Sequence, residues 1–182
     1  MTYLGIDQSF SGFALVAYTP PTTTASSSFR AHVFDFSAET CGTGPARLRI
    51  IYHELHRYLR SVEPLPVRMV CYEGYAYGAR MGREQMGELG GLLRLALVQL
   101  YGPECLYVVS PAGVKKFATG SGRAPKDHMK LGVYKKWGYE APTHDVADAY
   151  TLARIAAALD RPGDCTYKYE DDVIATIRKQ GT

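Results

Sequence analysis

The beginning of the chain alternates short apolar runs with turn-forming residues, a pattern typical of antiparallel strands. An apolar run over 3–7 (YLGID) is followed by a polar stretch with glycine and by a second apolar run over 13–18. The composition of 20–28 (PPTTTASSS) indicates a loop, after which alternation resumes over 31–36 (AHVFDF). We therefore expect three strands that pair antiparallel in chain order.

The middle of the chain switches between helical and strand spacing. Apolar residues recur every three or four positions over 47–60 and again over 84–100, which predicts two amphipathic helices. Two short apolar runs, 67–73 (VRMVCYE) and 106–109 (LYVV), indicate buried strands. Pro111 then opens a short helix, because proline suits the first helical turn. This order is typical of parallel strands joined by helices.

The last part of the chain is predicted to be helical. A basic helix is expected over 126–137, and Thr143 is a good N-cap for a long helix after it. A short helix is expected over 173–178. The whole order predicts an α/β layer fold with a mixed sheet, with one domain over 1–160 and a tail over 161–182 that packs on the same domain.

Composition restricts the class of protein. A chain of 182 residues with 46% hydrophobic and 21% charged residues fits one globular domain and excludes a disordered or fibrous protein. The four cysteines lie thirty or more residues apart, without zinc-ligand spacing, so we expect free thiols and no structural zinc. The chain start has no basic, apolar leader and no run is long enough to span a membrane, which predicts a cytoplasmic protein.

Positive charge is concentrated in one segment. The formal net charge is only +3, but 113–140 alone carries a net +5, whereas 1–46 and 141–182 are each net −2. A solvated basic helix is the ordinary explanation of such a run. Glycines between the lysines at 120–122 also suit a loop that presents amides and cations to phosphates, and we favour phosphate binding.

Two acids lie three positions apart on the last long helix, Asp145 and Asp148. Residues at this spacing share a face, here the apolar stripe expected to contact the sheet. An acid in a first helical turn, such as Asp145, is ordinary by itself because it complements the helix dipole. Asp148 lies further along the buried stripe, where an unpaired carboxylate costs several kcal/mol or takes up a proton. A bound cation satisfies both carboxylates.

Two further acids, Asp7 and Glu73, each end an apolar strand. If these strands are parallel neighbours, both ends lie at one edge of the sheet. Considered singly, Asp7 is explained by a turn and Glu73 by a solvated strand end. Four converging carboxylates favour a site for two Mg²⁺ or Mn²⁺ ions that hydrolyses phosphodiesters. The sequence therefore predicts a metal-dependent nuclease.

The stretch after Glu73 (GYAYGARMG) is rich in glycine, tyrosine and arginine. Tyrosines often cover a core, but in a glycine-rich loop beside the acids we expect them to stack on exposed bases. The residues expected to contact DNA in this segment are Tyr75, Tyr77, Arg80 and Arg83.

The sequence resembles RuvC-type Holliday-junction resolvases of the RNase H-like (retroviral integrase-like) superfamily from Tyr3 to about Ala158. The resemblance rests on the order of GIDQSFSGFALV, VCYEGYAYG, GELGGLLRLAL, VKKFATGSGRAPKD and HDVADAYTLA. It implies an RNase H-like fold whose mixed five-stranded sheet, with three antiparallel N-terminal strands plus parallel strands, is flanked by helices.

The resemblance also implies a mechanism. The family's metal ligands correspond to Asp7, Glu73, Asp145 and Asp148, and its active-site lysines correspond to Lys115 and Lys126. Family members are Mg²⁺-dependent homodimers that bind four-way DNA and make paired nicks, without a nucleotide cofactor, and they dimerise through the helix that here contains 89–100. The basic residues expected on the DNA are Lys115, Lys116, Arg123, Lys126 and Lys130.

Some features depart from the family. Ala76 stands where many members carry an aromatic wedge, and the loop over 20–28 and the tail after Pro162 suggest a divergent, phage-encoded branch acting in the host-cell cytoplasm. Cleavage of RNA, RNA–DNA hybrids or other branched or flap DNA stays open as an alternative, as does non-catalytic junction binding. His144 is either an auxiliary ligand or proton carrier, or a residue that caps the helix start.

Overall fold

The chain forms a five-stranded mixed sheet with helices on both faces. A computed structural model describes residues 1–62, 66–74, 83–161 and 163–180, and only the backbone of Arg83. The strands are β1 Thr2–Asp7, β2 Phe13–Thr19, β3 Ser28–Phe34, β4 Val67–Glu73 and β5 Leu106–Val109. The helices are α1 Ala38–Cys41, α2 Gly44–Ser61, α3 Arg83–Tyr101, α4 Pro111–Thr119, α5 Asp127–Trp137, α6 His144–Asp160 and α7 Lys168–Gln180, with a 3-10 turn at Pro103–Cys105.

The strand order is β3-β2-β1-β4-β5. Strand β1 pairs antiparallel with β2, and β2 pairs antiparallel with β3. On its other side β1 pairs parallel with β4, which pairs parallel with β5. The predicted α/β fold with three antiparallel strands followed by parallel ones is confirmed, and the carboxyl ends of β1, β4 and β5 share one edge.

Alternation along β1 assigns its residues to two cores. Leu4 and Ile6 pack in the apolar core that includes side chains of α2 and α3. Tyr3 packs in the core on the other face, with side chains of α4, α5, α6 and α7. Because successive side chains of a strand point to opposite faces, Asp7 lies on the same face as Tyr3, which is the face covered by α6.

Gly5 allows α6 to lie directly on β1. A Cβ built on Gly5 would be 2.0 Å from the Ala149 carbonyl oxygen and 2.2 Å from the Ala153 amide nitrogen. Any side chain at this position would push the helix away, so glycine is needed for the close approach. The approach brings the first turns of α6 to the carboxyl end of β1.

Three parts of the observed structure differ from the sequence expectations. Strand β3 covers 28–34 rather than 31–36, because it pairs with β2 over its whole length, from Thr19 opposite Ser28 to Phe13 opposite Phe34. The four-residue helix α1 was not expected. Helix α7 begins five residues before the expected start of 173–178.

The segment before α7 is fixed by one buried acid. The Glu170 carboxylate accepts hydrogen bonds from the backbone N–H groups of Thr166 and Tyr167, at 2.6 and 2.8 Å. The apolar face of α7, which includes Val173 and Ile177, is buried in the core shared with α6.

All four cysteines are free thiols. Among the helices in the described ranges, none has the length and apolar character that crossing a bilayer requires.

Candidate active site

Asp7 and Glu73 lie side by side at the shared strand edge. The register pairs Ile6 with Tyr72, so the next residue of each strand is a neighbour of the other. The two carboxyl groups are close enough to share a hydrogen bond, which raises the pKa of Asp7 and opposes the rise in the pKa of Glu73. The expectation that both strand-ending acids meet at one edge is therefore met in the structure.

Helix α6 brings the other two acids to the same edge. The Thr143 hydroxyl accepts a hydrogen bond from the Val146 N–H at 3.1 Å, as expected for an N-cap. Asp145 packs against the β1–β2 turn, where a Cβ built on Gly12 would be 2.5 Å from Asp145 Oδ2. One buried carboxylate oxygen of Asp148, Oδ1, has no hydrogen-bond partner within the described ranges.

Burial and neighbouring carboxylates raise the pKa values of the acids at this site. Burial, together with the charges of Glu73 and Asp148, raises the pKa of Asp7 to about 9. Burial and the Glu73 charge raise the pKa of Asp148 to about 7, against the opposing effect of Lys126. Burial also raises the pKa of Glu73. The site therefore concentrates negative charge in a desolvated place, which favours either protons or a cation.

Two lysines face this cluster. Lys115 of α4 and Lys126, which immediately precedes α5, both act electrostatically on Glu73 and Asp148 and oppose the rise in their pKa values. The short strand β5 ends at Val109 beside β4, and the Ser110 hydroxyl caps α4 by accepting from the Gly113 N–H at 3.1 Å. The parallel pairing of β5 with β4 thus places Lys115 at the same edge of the sheet as the acids.

The donor set fits a hard divalent cation in its chemistry. Carboxylate oxygens are the ligands that Mg²⁺ and Mn²⁺ prefer, and Asp148 Oδ1 is a buried acceptor without a donor among the described residues. As the side chains stand, no three His, Cys, Asp or Glu residues in the described ranges are grouped so as to hold a metal ion. The hydrogen bond from Asp7 to Glu73 occupies oxygens that a metal would need, so metal binding requires loss of that proton.

Other residues expected at the site are placed elsewhere or at its rim. Lys116 forms an ion pair with Asp172 of α7 at 2.9 Å, and Lys130 donates to the Pro142 carbonyl at 3.2 Å. Arg123 is exposed in the loop between α4 and α5. His144 Nε2 lies 3.6 Å from Asp127 Oδ1, and His144 Nδ1 is buried with no hydrogen-bond partner in the described residues.

The loop expected to contact DNA cannot be compared with the structure. Tyr75, Ala76, Tyr77 and Arg80 lie outside the described residues, and Arg83 is described only as the first residue of the α3 backbone. Their expected contacts with DNA stay predictions.

Two residues of the site were missed by reasoning from the sequence. Gln8 is buried, and its side-chain amide donates to the Glu73 carbonyl at 2.7 Å, joining the ends of β1 and β4. Gly12 leaves the room that the Asp145 carboxylate occupies. A polar residue directly after the acid of a buried strand was the only available signal for Gln8.

The sheet order, the helix across β1 and the acids at the strand edge define an RNase H-like fold. No protein-family model matches the chain. The structure of Thermus thermophilus RuvC is similar with a TM-score of 0.63 and 21% identity, over 84% of this chain and 91% of that one. The chain therefore has the RuvC variant of this fold.

Two DNA complexes share the fold. Thermus thermophilus RuvC in complex with a Holliday junction substrate has a TM-score of 0.65 at 21% identity, over 84% of this chain and 90% of that one. The fowlpox virus resolvase bound to substrate Holliday junction DNA has a TM-score of 0.50 at 13% identity, over 82% of this chain and 94% of that one. The resemblance to RuvC-type resolvases is thus confirmed for the architecture.

Proposed function

We propose that the protein is a metal-dependent endonuclease that resolves four-way DNA junctions. The observation that carries the proposal is the cluster of Asp7, Glu73 and Asp148, whose pKa values are raised together at one strand edge, with Lys115 and Lys126 beside them. Structural ion pairs do not explain such a cluster, because the acids are buried beside one another and the lysines only partly oppose the rise in their pKa values.

The four carboxylates have distinct places in this proposal. Asp7 is the most buried of the proposed ligands and would hold the metal together with its strand neighbour Glu73. Glu73, Asp145 and Asp148 complete the ligand set. When bound, a pair of Mg²⁺ or Mn²⁺ ions supplies an activated water and stabilises charge on the leaving oxygen.

The lysines are suited to hold the scissile phosphate. Both ammonium groups act on Glu73 and Asp148, so a phosphate that approaches the acids meets two cations. A fixed cation at a phosphoryl oxygen stabilises the charge that develops during bond cleavage. We assign Lys115 and Lys126 to positioning and charge stabilisation, and the glycine-containing loop between them to the DNA backbone.

The two junction complexes support the choice of substrate. Thermus thermophilus RuvC and the fowlpox virus resolvase both bind Holliday junction DNA on this fold. In this chain two lysines of the basic segment 113–140, Lys115 and Lys126, act on the acids. We therefore place branched DNA across α4, α5 and the start of α6.

Paired nicks across a junction need two copies of this one-site domain, and the outward side of α3 is the surface we propose for dimerisation. Leu89, Leu93 and Leu97 are buried against the sheet, whereas Leu95 and Val98 are 53% and 41% exposed. A Cβ built on Gly91 would meet no atom within 4 Å. A second α3 has room for close approach, and the two apolar side chains gain burial from it.

Cleavage of RNA–DNA hybrids is the alternative that the RNase H-like fold itself supports. The test is competition between a labelled four-way junction, an RNA–DNA hybrid, a flap and plain duplex, each in Mg²⁺. We expect nicks symmetrically placed near the branch point and little loss of rate when the hybrid is added. Preferential cleavage of the hybrid would refute the junction assignment, and junction binding without cleavage would support a non-catalytic role.

A further inference from the structure

Gln8 ties the end of β1 to the end of β4. It follows Asp7 directly in the chain and is only 7% exposed. Its side-chain N–H donates to the Glu73 carbonyl oxygen at 2.7 Å. One buried side chain thus links the positions that carry two of the four proposed metal ligands.

The bond extends the contact between the two strands beyond their backbone pairing. The last backbone pair of β1 and β4 in the described ranges is Ile6 with Tyr72, one residue before the two acids. The chain then turns into β2, which lies on the other side of β1 from β4. The Gln8 side chain supplies a further N–H donor to β4 after this pair, so the strands stay tied at the level of the acids.

The main chain of Glu73 is held on its other side as well. Glu73 pairs with Val109 of β5, and the Gly74 N–H donates to the Val109 carbonyl at 2.8 Å. The Gln8 bond holds the side that faces β1. Fixing the main chain from two sides limits the directions in which the Glu73 side chain can point, which orients its carboxylate before a metal arrives.

The same bond opposes a repulsion that belongs to the site. Asp7 and Glu73 are close enough to act electrostatically on each other, and Asp148 adds to the negative charge. When neighbouring carboxylates give up their protons to a cation, they repel each other until the cation is bound. A tie between β1 and β4 at this level keeps the strand ends from separating.

We propose that Gln8 is a positioning residue of the metal site, which holds the Glu73 main chain beside Asp7 and so keeps both ligands ready for one cation. The inference rests on the proposed function and adds a residue that acts through Glu73. Loss of a residue that orients a metal ligand commonly lowers metal affinity by about 10–100-fold. The loss of Gln8 should therefore appear in the affinity for metal.

The test is calorimetric titration of the full chain with Mn²⁺, without DNA. Methionine has a similar length but no N–H group, so Gln8→Met should bind Mn²⁺ about tenfold more weakly than wild type. Tyr101→Phe is the matched control, because it removes an O–H that donates to the Leu59 carbonyl at 3.1 Å. Tyr101 ends α3 shortly before β5 begins, away from the carboxyl ends of the strands, so this variant should bind Mn²⁺ like wild type.

The Mg²⁺ dependence of junction cleavage separates positioning from a structural role. For Gln8→Met the Mg²⁺ concentration that gives half the maximal rate should rise about tenfold, whereas the rate at saturating Mg²⁺ should return close to that of wild type. A rate that stays low at saturating Mg²⁺ would show that the bond supports the fold or the chemical step instead, and would overturn the inference.

A second variant covers the case in which methionine disturbs the packing. Gln8→Asn keeps the amide but is one methylene shorter, so it should lose the bond to the Glu73 carbonyl and show the same loss of Mn²⁺ affinity. Equal Mn²⁺ affinity of wild type, Gln8→Met and Gln8→Asn would overturn this inference and leave the proposed function intact. A wild-type protein that binds no Mn²⁺ at millimolar concentration would overturn the proposed function and this inference together.

Discussion

The carboxyl groups of Asp7 and Glu73 meet across the parallel pair β1–β4, close enough to share a hydrogen bond and a proton. The two residues are 66 positions apart in the chain and meet because each ends its strand at the same edge. The shared proton keeps two like charges together in the metal-free protein. It is also the proton that a cation must displace.

Protons and divalent metal should therefore compete for the site. The pKa values of Asp148 and Asp7 are raised to about 7 and about 9, so the ligands lose their protons over that range and the apparent metal affinity should increase from pH 6 to pH 9. Calorimetric titration with Mn²⁺ in buffers of different ionisation enthalpy should detect proton release on binding. Affinity that is independent of pH would contradict this account of the site.

Asp7→Asn should stabilise the metal-free protein at neutral and alkaline pH. The folded state raises the pKa of Asp7 from 3.8 to about 9, so the native protein binds the proton more tightly than the unfolded chain does. The free energy of unfolding consequently falls as the pH rises from 3.8 to about 9. Below this range Asp7 is protonated in both states and does not destabilise the folded protein.

Asparagine carries no charge and keeps a donor for Glu73. We expect a melting midpoint at pH 8 at least about 4 °C above that of wild type, given about 2–4 °C per kcal/mol in a chain of this size. Near pH 4 the two proteins should melt alike. A lower melting midpoint for the variant at pH 8 would show that the ionised Asp7 carboxylate does not destabilise the folded protein.

Gly12→Ala should reduce cleavage more than it reduces stability. Its Cβ would be 2.5 Å from Asp145 Oδ2, the end of a side chain that can move away at little energetic expense. The displaced carboxylate leaves the ligand set, so the rate at low Mg²⁺ should fall by about tenfold or more with a nearly unchanged melting midpoint.

Gly5→Ala provides the contrast. At this position the Cβ would meet the backbone of Ala149 and Ala153, so α6 itself must shift. We therefore expect Gly5→Ala to lower the melting midpoint. Equal effects of both variants on melting and on cleavage would refute the separate role assigned to Gly12.

The sequence predicts the position of a site residue when that position depends only on the residue's own strand or helix. It does not when the position depends on contact with another element. Asp7, Glu73 and the Thr143 cap follow from apolar runs and helix chemistry, and the structure places them as expected. Helical periodicity does not distinguish the adjacent lysines, and only the family resemblance selected Lys115: Lys115 faces the acids, while Lys116 binds Asp172 of α7. That choice depends on how α4 is rotated against α7.

The same limit applies to Gln8 and to the stacked rings of Tyr167 and Tyr169. The bond from Gln8 to the Glu73 carbonyl exists only because β1 and β4 are neighbours. The segment that carries these rings is held by Glu170, which accepts the Tyr167 N–H and pairs with Lys136 of another helix. No periodicity in either segment encodes these contacts.

The proposed dimer makes a prediction about α3. Leu95→Glu or Val98→Glu places a charge on the outward face and should convert a dimer into a folded monomer in analytical ultracentrifugation at micromolar concentration. Val33→Glu is the control, since Val33 is similarly exposed on the edge strand β3. A wild-type protein that sediments as a monomer bound to junction DNA would contradict a dimer through α3.

The most direct measurement is nicking of a synthetic four-way junction by wild type and Asp7→Asn, with and without Mg²⁺. Both proteins should bind the junction, because the variant keeps Lys115 and Lys126 and the carboxylates on which they act, Glu73 and Asp148. Wild type should cut two strands near the branch point only when Mg²⁺ is present, and the variant should lose at least about a thousandfold in rate, of the order of 4 kcal/mol in the barrier. Undiminished cutting by Asp7→Asn in Mg²⁺, or cutting by wild type in a metal chelator, would contradict the proposed mechanism.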